Sequence, residues 1–212
     1  INAPINNQAS YAYSYSQQIY LKDEIGKANG LITSIAFHNK LGGSNTRNIV
    51  VYANNTEKSS YATDGELTNL VTVSASDIVY EGEFTFGTNE TWSTIELQTP
   101  FVYTGENLVI TVNDKTGVAK GYDGYDQFYA TATTNQRCLY FGSYSEVEEN
   151  MANKSYLSNL TVGGWGSSTP GIPDVQLTIA PLAAGVMVST ETIALGDVQL
   201  GEYWSEKEDV TA

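Results

Sequence analysis

Hydrophobic and polar residues alternate along most of this chain with a period of two. In GLITSIAFH, residues 30–38, Leu31, Thr33, Ile35 and Phe37 fall on one side of an extended chain. Ile32, Ser34, Ala36 and His38 fall on the other. That pattern predicts a half-buried strand. RNIVVYAN at 47–54 follows the turn-forming LGGSNT, so 30–54 reads as a hairpin with a loop. GEFTFG at 82–87 alternates Phe84 and Phe86. TWSTIELQ at 91–98 sets Trp92 apart from Ser93, Ile95 and Leu97, and the TNE between the two segments is a turn. ENLVITVND at 106–114 is rich in β-branched residues, and QRCLYFG at 136–142 and DVQLTIA at 174–180 predict two further strands. The alternating tyrosines of YAYSYSQQIY, 11–20, suit another. Helical signals are sparse. KDEIG at 22–26 fits a single turn. SEVEENMANKSYL at 145–157 has Ser145 and Glu148 at capping-box spacing but poor apolar spacing, which leaves a short helix or an ordered loop.

Many short strands separated by Gly-, Asn- and Asp-containing turns predict an all-β fold, an antiparallel β-sandwich of jelly-roll type, over residues 1–180. That span exceeds the ~100 residues of one immunoglobulin-like domain. After Pro181 the composition shifts. PLAAG reads as a linker, and strand character resumes beyond it, so 181–212 is set apart as a linker plus the start of a second domain.

Composition narrows the function classes mainly by exclusion. Hydrophobic residues make up 41% of the 212 and charged residues only 16%, which is not the profile of a disordered chain. A single Cys excludes a disulfide framework or a Cys-based zinc cluster, and a single His excludes a polyhistidine metal site. The formal charge of −14 argues against nucleic acid as a partner, because phosphate backbone is held by clustered Lys and Arg. No apolar run reaches the ~18 residues of a transmembrane segment. The abundance of Asn, Thr and Tyr and the scarcity of Lys resemble exported proteins. The expected location is therefore extracellular or at the cell surface.

Catalytic chemistry is weakly represented. His38 lies on a predicted strand and reads as a structural histidine. Cys138, between apolar neighbours, reads as a buried thiol. Glu81 and Glu83 flank Gly82 and share one face of a strand, a pair to weigh for glycoside hydrolysis, although among 24 acidic residues some such pair is expected. The chain is accordingly expected not to be an enzyme. Calcium is a more credible ligand. NDKTGVAKGYDGYDQF at 113–128 offers Asn113, Asp114, Asp123 and Asp126, with glycines 117, 121 and 124 for tight turns, although the spacing departs from an EF-hand. The competing reading of that segment is a loop held by Asx hydrogen bonds. Aromatic residues on loops suit sugar binding, because a ring packs on the C–H face of a pyranose while amides and carboxylates bond its hydroxyls. Tyr122, Tyr125 and Tyr129, with Asp123 and Asp126 among them, form the densest cluster. Trp165 sits on a glycine-flanked loop, and Tyr144 is a further candidate.

Longer stretches resemble a known family. SYSQQIYLKDEIG at 14–26, GLITSIAFHN at 30–39 and RNIVVYANNTEK at 47–58 are similar to modules of secreted Bacteroides-type surface proteins. So are ASDIVYEGEFTF at 75–86, WSTIELQTPFVYTGENLVITVND at 92–114 and the Cys-Leu-Tyr run at 138–140. The likeness covers about residues 10–180 and is one of strand pattern, not of catalytic residues. It resembles the cleaved-adhesin modules of gingipain-type proteins, which have a galactose-binding-like jelly-roll. ETIALGDVQLGE at 191–202 resembles the opening of an Ig-like repeat in the same surface proteins. The resemblance implies an adhesion or carbohydrate-binding module within a longer multidomain chain, with a glycan or a host surface protein as partner. The alternatives are a structural spacer with no ligand of its own and a glycan-active hydrolase.

Overall fold

Two antiparallel sheets face each other across an aliphatic and aromatic core. The computed structural model describes residues 1–163 and 166–182. In chain order the elements are β1 (Tyr13–Tyr20), α1 (Lys22–Ile25), β2 (Gly30–Leu41), β3 (Thr46–Thr56), β4 (Ile78–Thr85), β5 (Trp92–Tyr103) and β6 (Asn107–Asp114). They are followed by β7 (Gln127–Phe128), β8 (Ala130–Ala132), β9 (Cys138–Ser143), β10 (Ser158–Asn159), β11 (Thr161–Val162), β12 (Thr169–Pro173) and β13 (Val175–Ala180). The larger sheet runs β10-β9-β1-β6-β3-β4. The smaller runs β13-β2-β5 with β7 also pairing to β2, and β11-β12-β8 form a third short sheet. The fold is an all-β antiparallel sandwich, as the alternation predicts. Residues Ile1–Leu182 make one compact unit. The linker and Ig-like start expected beyond Leu182 lie outside the described residues.

The larger sheet turns Ile49, Val51, Ala53, Leu108, Ile110 and Val112 toward the smaller sheet's Ile32, Ile35, Phe37 and Ile95. Removing each of the larger side chains among these from water contributes about 1.5–3 kcal/mol. The other face of the larger sheet is also covered. Tyr15, Ile19, Val109, Leu139 and Phe141 pack under Tyr61, Val147, Met151 and Leu157 from the connecting loops. Burial on both faces explains why NLVITVND reads as an almost continuous apolar run. It also places polar residues of β1 inside. The Gln17 amide donates to the Val71 carbonyl and the Thr111 hydroxyl, and its oxygen accepts from the Val71 N–H and the Tyr61 hydroxyl. A fully satisfied buried amide of this kind fixes the 61–71 loop against the sheet.

Three local expectations change. The predicted 30–54 hairpin is not formed. β2 pairs with β13 and β5, whereas β3 pairs with β4 and β6, so residues 42–45 cross from one sheet to the other. Strict alternation in β2 also breaks. The register slips between Ile32 and Ser34, and Ile32 and Ile35 both reach the core. A bulge at Thr33 therefore places Ile32 on the face opposite His38. The 145–157 segment is an ordered loop with one short helical turn at Glu149–Met151. Ser145 does not cap it, because its N–H donates to Ser143 Oγ and the Glu148 N–H to Asn153 Oδ1. The single turn α1 forms as expected and stops at Gly26, whose φ of 64° is left-handed.

Candidate functional site

Beyond the Thr33 bulge, the phase of β2 is set by Ile35 and Phe37, which face the core. Ser34, Ala36 and His38 consequently face outward. Their cross-strand partners extend this face. Glu96, Thr94 and Trp92 flank them on β5, and Thr178, Gln176 and Asp174 on the side of β13. The central row is made of small side chains, and Ser34 Oγ donates to Thr178 Oγ1 at 2.7 Å. The outer face of the smaller sheet is thus a mostly polar trough whose floor residues, Ser34 and Ala36, are buried between the taller side chains that flank them.

An aromatic shelf closes one end of that trough. His38 and Trp92 are opposite each other in the register, and their rings stack with centroids 4.5 Å apart and an interplanar angle of 7°. Tyr129 packs on His38 with centroids at 4.6 Å. Backbone bonds hold the shelf. The Tyr129 N–H donates to the His38 carbonyl, the His38 N–H to the Asp174 carbonyl, and the Asp174 N–H to the Tyr129 carbonyl. The Tyr129 hydroxyl donates to the Glu90 carboxylate at 2.8 Å, which raises the Tyr129 pKa, and Lys40 Nζ lies 5.9 Å from the ring centroid. Trp92 remains 36% exposed, a high value for an indole stacked on a neighbour.

Trp92 also borders a cavity of about 680 Å³ that runs beside strand β13. Its polar lining includes Glu24, Lys27, Thr131, Arg137, Asp174 and Gln176. Arg137 donates to both Glu24 oxygens, at 2.7 and 2.8 Å. Those bonds hold the Glu24 carboxyl below its ordinary pKa.

The sequence-predicted aromatic cluster is divided. Tyr122 and Asp123 are exposed, Tyr125 is half-buried, and Asp126 is buried. Of that cluster, Tyr129 is the residue that joins the shelf. Tyr144 is exposed and packs on Tyr11. Trp165 lies outside the described residues. The calcium set is not gathered around one point. Buried Asp114 forms an ion pair with buried Arg47 at 2.5 Å and accepts from Thr116. Asp126 accepts from the side-chain amides of Asn7 and Asn45 at 2.6 and 3.0 Å, and burial raises its pKa. Asn113 donates to the Val147 carbonyl, while Asp123 is exposed. Among the described residues no three His, Cys, Asp or Glu side chains gather as a metal-binding group. Glu81 and Glu83 are exposed on β4 and do not line the cavity. Cys138 is fully buried, and desolvation pushes its thiol far above the usual range.

Trp92 and His38 are the residues that sequence reasoning missed as a site. Period two placed each on a strand face, but their juxtaposition depends on the pairing of β2 with β5. No family model matches the chain, and no curated protein and no solved structure matches it. Among the described residues no helix is long and apolar enough to cross a membrane.

Proposed function

We propose that this chain is a non-catalytic, extracellular carbohydrate-binding module whose platform is the Trp92–His38–Tyr129 shelf. The observation that carries this reading is the exposed Trp92 ring, braced by His38 and adjoining a polar trough. Burial in a core normally explains a large aromatic on a strand, and here the ring faces outward. A pyranose placed on the indole would set its C–H face against the ring and its hydroxyls toward Thr94, Glu96 and Gln176. Backbone bonds and stacking hold the shelf in place before any ligand arrives, which lowers the ordering cost of binding. The resemblance of residues 10–180 to secreted adhesin modules points the same way, as does the Asn-, Thr- and Tyr-rich composition.

A glycan array followed by titration calorimetry with the full chain tests the proposal. Trp92→Ala is expected to weaken binding at least about tenfold, because a central stacked aromatic is worth roughly 2 kcal/mol in such sites. Its melting temperature should stay close to that of the parent. Unchanged glycan binding by Trp92→Ala would remove the shelf from the site. Silence of the parent across the array would leave the chain a structural spacer.

A further inference from the structure

We infer that the cavity beside β13 is a second subsite continuous with the aromatic shelf, and that the ligand it completes is an uncharged oligosaccharide. This rests on the carbohydrate-binding reading of the shelf. Trp92 lines the cavity itself, so a chain seated on the indole has a direct path into it. At about 680 Å³ the cavity falls within the ~300–1,000 Å³ typical of small-molecule sites.

The lining chemistry selects against charge. Among the described residues Lys27 and Arg137 are the cations and Glu24 and Asp174 the anions of the lining, so formal charge balances. Arg137 and Glu24 hold each other through two hydrogen bonds, and Arg137 is only 8% exposed, so it is not a free counter-ion for a carboxylate or sulfate. An acidic sugar entering here would meet Glu24 and Asp174 with Lys27 as the one unengaged cation among the described residues, on a chain of net charge −14. A hydroxyl, by contrast, can donate to a carboxylate oxygen while accepting from an amide or ammonium. Thr131 and Gln176 add further donors and acceptors at the wall.

The backbone of β13 adds to the same set. Among the described residues β13 pairs only with β2, which leaves its other side open. The His38 N–H bonds to the Asp174 carbonyl, and this fixes which residues point inward. By antiparallel alternation, Val175 and Leu177 turn their N–H and C=O groups to the open side, and both line the cavity. These fixed groups match the mixed donor and acceptor character of neutral sugars.

Calorimetry with a neutral oligosaccharide series of one to six units, alongside matched uronate-bearing oligomers, tests this directly in the full chain. Affinity for the neutral series is expected to rise at least about tenfold between one unit and the plateau length. Thr131→Ala, at an exposed position outside the shelf, should remove about five- to tenfold of that gain and leave the single-unit affinity unchanged. Uronate oligomers should bind at least about tenfold more weakly at low salt. Trp92-dependent binding with no gain from length would overturn the second subsite while leaving the shelf intact. Preference for the acidic oligomers would overturn the charge argument. A chain that binds none of the neutral or acidic sugars would overturn this inference and the carbohydrate-binding reading together.

Discussion

Arg47 and Asp114 are both fully buried, one on β3 and the other at the end of β6. The guanidinium also donates to the carbonyls of Ala12 and Val118, so a single side chain ties the start of β1 and the 115–120 loop to the larger sheet. Asp114→Ala is expected to cost about 3–5 kcal/mol in urea unfolding, because it strands a buried cation. Replacing both partners by apolar residues should recover much of that loss. Two other carboxyls give opposite dependences on pH. Glu24 has a lowered pKa in the fold, so its contribution is present above the unfolded pKa and disappears as pH falls through the folded value. Asp126 has a raised pKa, so protonation on acidification relieves part of its burial cost. Glu24→Gln should therefore flatten the acid limb of stability against pH, and Asp126→Asn should steepen it, both measured by thermal melts between neutral and acidic pH. Sequence reasoning marked Asp114 and Asp126 as cation ligands from their loop. It could not show that Arg47, about 70 residues away in sequence, and the amides of Asn7 and Asn45 already engage them.

At the scale of elements, alternation located the strands well and their neighbours poorly. The runs at 30–38 and 47–54 fall within observed strands, and those at 106–114 and 174–180 each start one residue ahead of theirs. LGGSNT has hairpin-like composition, yet it links two sheets, because partner choice depends on which strand faces are already covered. The Thr33 bulge was equally invisible in the residues, which alternate as well through it as around it. Turns that join sequence-adjacent strands carry a clearer local signature. Gly105 lies between β5 and β6 at φ 88°, and a Cβ there would collide with the Ala28 carbonyl. Gly105→Ala should destabilise the fold by about 2–4 kcal/mol, read from denaturant midpoints, since backbone conformation and sterics both oppose it.

For the whole molecule, the amino-acid order determined the class. Period-two alternation, β-branched strands and Gly- and Asn-rich turns admit an antiparallel sandwich, and one Cys and one His exclude an intrachain disulfide framework and a polyhistidine metal site. Every described strand lies within Ile1–Leu182, and a fragment 1–182 is expected to unfold cooperatively by itself, with a melting temperature close to that of the full chain. Loss of cooperativity in that fragment would show that residues 183–212 complete the core. Only the tertiary structure decided which aromatics gather. Tyrosine density drew attention to 122–129, yet the shelf takes Tyr129 from there, His38 from β2 and Trp92 from β5. The physical reason is that a strand's pattern records which side of it is dry, whereas a site needs to know which strand lies next to it. That neighbour is set by burial across the two sheets, a property of the assembled layers that no local run of residues carries.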